Sequence, residues 1–411
     1  MVSKWCRARP QEMAPSSSDL EFYYSRAYPF APVFRWLNGG PEDQPTQNVT
    51  HRELAMAFRS GAYKRYVSVN TLAEFAETVR RLNPDRFEVG AVYSRPPKER
   101  DSLLKSELVA LRKELVFDID MDDYDSYRTC CQGARVCTRC WRFIQLAIEV
   151  IGTALREDFG FSTFVWVFSG RRGAHCWVSD PRAMAMTDQQ RRNTLEYLNV
   201  VRDRTAAKRL NLVRPYHPLL ARSLELLKPH FANLLLEDQD PWRDDTRARA
   251  TLLTALHDKS LAETLSKQWT EQPGRSSSEK WRDIDTAAAS IKFPSTARRQ
   301  DFHAKLHECK EDIVMATLYP KLDVEVTKLT SHLLKAPFCV HPATGNICVP
   351  ILDPLTFTPD SAPKLITIQQ EWEKDHRARN SLDPFVDAFS KYADDLALAD
   401  KKRPRSQEEQ Q

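Results

Sequence analysis

Glycine is scarce in this chain, 11 in 411 residues. None falls between Ala174 and Pro273, which excludes a series of tight hairpins there and favours helices. No apolar run reaches the roughly 18 to 20 residues that a membrane-spanning helix needs. The start, Met1-Val2-Ser3-Lys4-Trp5-Cys6-Arg7, lacks an apolar signal core, so secretion is not expected. A disulfide framework is missing too. Nine cysteines, an odd number with four clustered, suit a reducing compartment and a metal site. Charge of one sign does not dominate: the net is +4, with 28% charged and 42% hydrophobic residues. That is an ordinary globular profile, long enough for two domains or for one with an insertion. Such mild basicity permits a polyanionic partner without demanding one. There is no internal repeat.

Residues 1–18 read as a tail closed by Pro15-Ser16-Ser17-Ser18, and order is expected from an aromatic helix near Leu20. Residues 62–69, 87–93, 114–120, 163–168 and 174–178 read as strands, rich in Val, Phe, Tyr and Trp at near period two. Over 139–157, Trp141, Ile144, Ile148, Ile151 and Leu155 fall at helical spacing, and Gly160 follows. That stripe reads as core. Residues 183–310 read as a polar, all-helical lobe. Strand character is expected again at Lys321–Thr327 and Asn346–Pro350. Asp383-Pro384 reads as a helix start, with Phe385, Phe389, Tyr392 and Leu396 on one face. The predicted division is a tail 1–18, a catalytic part 19–182, a helical subdomain 183–310, a second catalytic part 311–398 and a basic tail 399–411.

The stretch Leu115-Val116-Phe117-Asp118-Ile119-Asp120 carries the chemistry. Strand side chains alternate, so Asp118 and Asp120 share a face while Phe117 and Ile119 enter a core. By itself, Asp-x-Asp is common on solvated strand edges. Two carboxylates about 6–7 Å apart on a rigid strand can also converge on a pair of divalent ions, as two-metal phosphoryl transfer requires.

Cys130, Cys131, Cys137 and Cys140 follow as Cys-Cys-x5-Cys-x2-Cys. Four thiolates in so short a span suit a closed tetrahedral zinc site, which leaves no open position for catalysis. The expected role is structural. The other cysteines, Cys6, Cys176, Cys309, Cys339 and Cys348, are dispersed, so no iron–sulfur site is expected in this chain.

Ser169-Gly170-Arg171-Arg172-Gly173-Ala174-His175 joins two strand segments. The glycines permit a turn and a close ligand approach. A guanidinium matches phosphate oxygens bidentately, and His175 stands where imidazole could donate to a phosphate. In Leu322-Asp323-Val324-Glu325-Val326-Thr327, Asp323 is a candidate third metal ligand, but Glu325 shares its face and periodicity does not choose between them. Lys335 and His341 are candidate phosphate contacts that, taken alone, read as ordinary surface residues.

Together these motifs resemble the catalytic small subunit of eukaryotic DNA primases, within the archaeo-eukaryotic primase family. Leu333-Leu334-Lys335-Ala336-Pro337-Phe338, Tyr28-Pro29, Arg35-Trp36-Leu37-Asn38, His51-Arg52-Glu53, Arg65-Tyr66, Gly90-Ala91-Val92-Tyr93-Ser94 and Ser381-Leu382-x-Pro384 extend the likeness, in order, across about residues 20–395. The resemblance implies an α/β fold: a mixed-sheet prim catalytic domain with an inserted all-helical subdomain and a zinc-binding motif. It implies Asp118, Asp120 and Asp323 as ligands of two catalytic Mg²⁺ or Mn²⁺ ions. Cys130, Cys131, Cys137 and Cys140 would hold one structural Zn²⁺. Ser169, Arg171, Arg172, His175, Lys335 and His341 would contact the phosphates of the incoming nucleotide, with Arg65 and Glu53 nearby. Glu88 stands where the family is expected to carry Asp near the sugar.

The implied activity is that of a DNA-directed RNA polymerase. It would make short RNA primers from ribonucleoside triphosphates on single-stranded DNA, for replication. A large subunit with an iron–sulfur cluster and DNA polymerase α are the implied partners. Lys401-Lys402-Arg403-Pro404-Arg405 fits a nuclear-import patch, consistent with a nuclear enzyme. A repair-type primase-polymerase and a non-catalytic zinc and nucleic-acid-binding scaffold are the rival readings. The presence of all three acids argues against the scaffold.

Overall fold

The computed structural model describes residues 14–201, 210 and 212–401, the last three by backbone alone. The chain folds as two units. One comprises Ile119–Gly160 and Glu196–Leu322; the other comprises 14–118, Phe161–Leu195 and Asp323 onward. The expected α/β class is what is observed.

The second unit holds the sheets. Strands β1 (Arg52–Ala57), β2 (Tyr63–Val67), β3 (Arg86–Tyr93) and β4 (Ala110–Arg112) run in the order β2-β1-β3-β4, antiparallel throughout. Strands β5 (Leu115–Asp120), β6 (Phe164–Phe168) and β7 (Gly173–Val178) form a second sheet in the order β5-β7-β6. Short strand β8 (Leu334–Lys335) pairs β3, setting Lys335 against Glu88.

β1 was not read as a strand from the sequence, because every one of its six residues is buried and two are charged. Arg52 is tolerated there because both its terminal nitrogens meet Glu114, at 2.7 and 3.0 Å. Removing one partner of so buried a pair costs on the order of 3–5 kcal/mol.

Helix Ser17–Arg26 begins inside the stretch expected as tail. Ser16 and Asp19 cap each other's backbone in a capping box, which fixes the first turn. Its Tyr23 and the following Tyr28 donate to the carbonyls of Phe338 (2.8 Å) and Pro337 (3.1 Å). The aromatic N-terminal segment thereby fixes the turn just after β8. Trp36 packs edge-on against Trp177 of β7, with ring centroids 5.2 Å apart. Trp36 also donates to Ser179 Oγ at 3.0 Å. Helix Asp383–Lys401 buries Phe389, Ala393 and Leu396, while Phe385 and Tyr392 are half-buried.

The first unit is helical apart from the end of β5. Helix Thr138–Glu157 buries Trp141, Ile144, Ile148, Ile151 and Leu155, the stripe expected as core. Pro218–His230, Lys259–Glu271, Ser277–Ser290 and Thr296–Leu318 are helices, the first two within the glycine-free stretch Ala174–Pro273. Lys321–Thr327, expected as a strand, is instead a helical turn over Val324–Lys328. Asp323 Oδ1 accepts the Glu325 N–H at 3.0 Å and caps that turn. This local bond prevails over the strand preference of Val324, Val326 and Thr327. No described helix is long and apolar enough to cross a membrane. Residues 1–13 of the expected tail, and all but Lys401 of the basic patch 401–405, lie outside the described residues.

Candidate active site and metal centre

β5 buries Phe117 and Ile119 completely and leaves Asp118 and Asp120 half-buried. Asp120 then accepts the Asp122 N–H and caps the 3-10 turn Met121–Tyr124, which stops the strand. Asp323 reaches β5 through its backbone, its N–H donating to the Asp118 carbonyl at 2.9 Å. Thr327 Oγ1 secures the same helical turn to the Val116 carbonyl at 2.7 Å. Glu325, the alternative that periodicity left open, is 71% exposed and pairs with Lys328 at 2.6 Å. The fold therefore sets Asp323, not Glu325, beside Asp118. Half-buried carboxylate oxygens at the end of a rigid strand are the hard donors that Mg²⁺ or Mn²⁺ takes.

His175 lies on β7, next to β5. Its Nε2 stands 3.6 Å from Asp118 Oδ1, and its buried Nδ1 has no hydrogen-bond partner among the described residues. Burial, with Lys335 and His341 nearby, pushes its pKa down to about 3, so the ring is neutral at pH 7. His341 is likewise held down to about 3, by burial and by Lys335, Arg171, Arg86 and Arg172. The geometry gathers the same elements: Lys335 donates to the Ser169 carbonyl of the loop after β6, and His341 packs against Gly170 of that loop.

Gly170 makes the gathering possible. Its φ is +86°, and a Cβ there would meet His341 Cβ at 2.7 Å and Cys348 Sγ at 3.0 Å. The Gly170 carbonyl accepts from Thr344 Oγ1 (2.7 Å) and Asn346 Nδ2 (3.0 Å), clasping the loop to the segment after β8. Lys335 donates to the Ser169 carbonyl. Ser169 Oγ accepts the Gly173 N–H at 3.0 Å, so this hydroxyl shapes the turn itself. Arg171 and Arg172 are half-buried, while Lys335 and His341 are drawn in rather than left on the surface.

Glu53 is wholly buried in β1 and grips Arg65 of β2 with both oxygens, at 2.8 and 3.1 Å. Tyr93 OH also donates to it at 3.0 Å. Glu53 thus orients Arg65, which remains 37% exposed. Glu88 accepts from Tyr63 OH (2.5 Å) and from Arg86 (3.1 Å).

The four cysteines form a separate centre in the first unit. Their sulfur atoms all lie within 4.8 Å of one another, with Cys137 Sγ 3.5 Å from Cys130 Sγ and 3.9 Å from Cys140 Sγ. A tetrahedron of Zn–S bonds near 2.3 Å places its sulfurs about 3.8 Å apart, so the quartet can hold a metal. Cys137 is also the N-cap of Thr138–Glu157, a position that favours thiolate. Hydrogen bonding with Cys130, Cys131 and Cys140 pushes its pKa down.

Adjacent residues tend to point apart, so the loop must bend for Cys130 and Cys131 to face one centre, and Arg128 holds that bend. Buried, it donates to the carbonyls of Arg135 (2.7 Å) and Gly133 (2.9 Å) and pairs with Asp125, folding the loop around its guanidinium. Sequence reasoning missed Arg128 and the clasp residues Thr344 and Asn346. A buried arginine beside a cysteine pair has no spacing signature of its own.

An α/β fold whose acidic strand end adjoins a gathered cationic loop is the class these features define. The family model described as DNA primase small subunit matches residues 117–352. The chain is 59% identical over 402 residues to the DNA primase small subunit of Saccharomyces cerevisiae, covering 96% of each chain. It is 43% identical to that of Schizosaccharomyces pombe, over 91% of this chain and 82% of the other. With that of Drosophila melanogaster the identity is 38%, over 86% and 81%. The chain belongs to the DNA primase small subunit family.

Proposed function

We propose that this chain is the catalytic subunit of a DNA primase, joining ribonucleotides into short RNA primers on single-stranded DNA at the start of replication. The observation that carries the reading is the Asp323 N–H bonded to the Asp118 carbonyl, with Lys335 bonded to the loop that carries Arg171 and Arg172. In this reading Asp118, Asp120 and Asp323 hold two Mg²⁺ or Mn²⁺ ions. Such ions, when bound, supply Lewis acidity to the attacking 3′-hydroxyl and the departing pyrophosphate.

The chain's own residues do the rest. Arg171, Arg172 and Lys335 neutralise the triphosphate, with the arginines offering forked donors. His175 and His341 are neutral at pH 7, and each can donate its one ring N–H to a phosphate oxygen. Ser169 holds the turn that presents the arginines, and Glu53 fixes Arg65 toward the nucleotide. Little covalent chemistry is asked of the protein; positioning and electrostatics dominate. The cysteine quartet would carry one structural Zn²⁺, steadying the segment that follows β5.

The named relatives are small subunits, which supports a large-subunit partner. An iron–sulfur cluster in that partner, association with DNA polymerase α, and nuclear location belong to the same proposal. Purified protein supplied with single-stranded DNA and either ribo- or deoxynucleoside triphosphates tests it. Preferential ribonucleotide incorporation supports primase. Preference for deoxynucleotides would favour a repair-type primase-polymerase, and no incorporation would favour a scaffold.

A further inference from the structure

A second basic feature lies outside the nucleotide site. Strand β2, helix Leu72–Leu82 and the turn Pro97–Ser102 enclose an open groove of about 590 Å³. Lys64, Arg65, Arg81, Lys98 and Arg100 line it, against the acids Glu74 and Asp101. All five cations are exposed. The guanidiniums of Arg65 and Arg100 both lie over the ring of Tyr66, 5.0 and 4.4 Å from its centroid. Tyr66 itself has φ +58°, a conformation that a bulky residue rarely adopts.

Acids hold two of these cations, Lys98 and Arg100, loosely. Lys98 is 3.8 Å from Glu74, and Arg100 is 3.9 Å from Asp101, whose side chain is fully exposed. Pairs of this kind contribute little and leave the cation available. Five exposed cations along an open groove, Lys98 and Arg100 among them only weakly restrained, suit successive phosphates of a flexible strand better than one small anion. The groove also adjoins the nucleotide site. Arg65 belongs to both, and Tyr63 of the same strand donates to Glu88, which faces Lys335 across β3 and β8.

We propose that this groove carries the phosphodiester backbone of the single-stranded DNA template toward the nucleotide site. The proposal rests on the reading given under Proposed function. Its test uses the full chain with Arg81, Lys98 and Arg100 all replaced by Ala, leaving Arg65 in place. The probe is a fluorescent oligodeoxythymidylate of about 20 nucleotides, long enough to cover the site size of a typical single-strand groove. Titrations run between about 50 and 200 mM salt. Three lost phosphate contacts should lower the log–log salt slope by about 2, at about 0.7 per contact. Affinity at low salt should fall at least about tenfold, while ATP affinity and thermal stability hold.

Unchanged oligonucleotide affinity and slope would overturn the proposal. So would weakened binding of an RNA oligonucleotide with DNA binding intact, which would make the groove a product channel. If the triple variant does not fold, Arg100→Ala alone carries the test, with an expected slope change of about 0.7. Wild-type protein run alongside separates the two claims. If it binds and copies template while the variant matches it, only the groove assignment falls. If wild type does neither, the primase reading itself falls.

Discussion

Glu53 and Arg65 form a two-pronged pair across β1 and β2, with a wholly buried carboxylate at one end and a partly exposed guanidinium at the other. Gly90 leaves room for it: a Cβ at that position would approach Glu53 Cβ to 3.1 Å. The pair also raises the Arg65 pKa, so the guanidinium is charged at any working pH. In the proposed reading this buried acid positions the partly exposed arginine.

Glu53→Gln should therefore weaken nucleotide binding without touching the metal-ligand acids. Loss of one charge-assisted pair is worth about 1.5–3 kcal/mol in favourable geometry. Partial retention by the amide brings the expected loss to roughly 3- to 30-fold in affinity. Equilibrium nucleotide binding checks this. Unchanged affinity would mean that Arg65 does not depend on Glu53.

Arg172→Ala should cost more, on the order of 10- to 150-fold in nucleotide affinity. Arg172→Lys should restore part of that, since a point charge does not reproduce a planar fork. Affinity for single-stranded DNA should change far less. If template affinity collapsed while nucleotide affinity held, the Ser169–His175 loop would be a nucleic-acid grip instead.

Acid should destabilise the protein in a defined window. His175 and His341 are both held near pKa 3 by burial and neighbouring cations, against about 6.5 when unfolded. Below about pH 6.5 the unfolded chain binds protons that the folded chain refuses. Their contribution to stability is whole above that value and is lost as pH falls toward about 3. Thermal melting across pH 7.5 to 4 should show the decline. In a His341→Asn variant the decline should be shallower; an identical pH profile would remove His341 from the account.

The cysteine centre is checked by composition. Protein made without added metal should carry about one zinc per chain. Cys137→Ser should lower that content and the melting temperature. A native protein without zinc would reduce the quartet to clustered thiols.

Much of this was legible in the sequence because local periodicity decides it. β5 follows from alternation around Asp118, and Thr138–Glu157 from its apolar stripe. The thiol quartet follows from spacing. What was not legible depends on partners far along the chain. The charged residues of β1 are buried because Arg52 finds Glu114, 62 residues along the chain, and Glu53 finds Arg65 on the next strand, and hydrophobic periodicity registers neither pairing. Lys335 and His341 read alone as surface residues, and they join the Arg171-Arg172 loop because Gly170, at positive φ, lets that loop close on them. At Lys321–Thr327 the strand pattern was present, but a single Asp323 cap decided for helix.

The central claim is that Asp118, Asp120 and Asp323 form the catalytic acid set of a template-dependent nucleotidyl transferase. The direct measurement is ribonucleotide incorporation on a single-stranded DNA template by Asp118→Asn protein, with zinc content and thermal melting recorded on the same sample. The account predicts incorporation reduced by at least about 10²-fold, the scale on which a lost transition-state electrostatic contact is felt, with zinc and melting unchanged. Incorporation within a few-fold of wild type would contradict it.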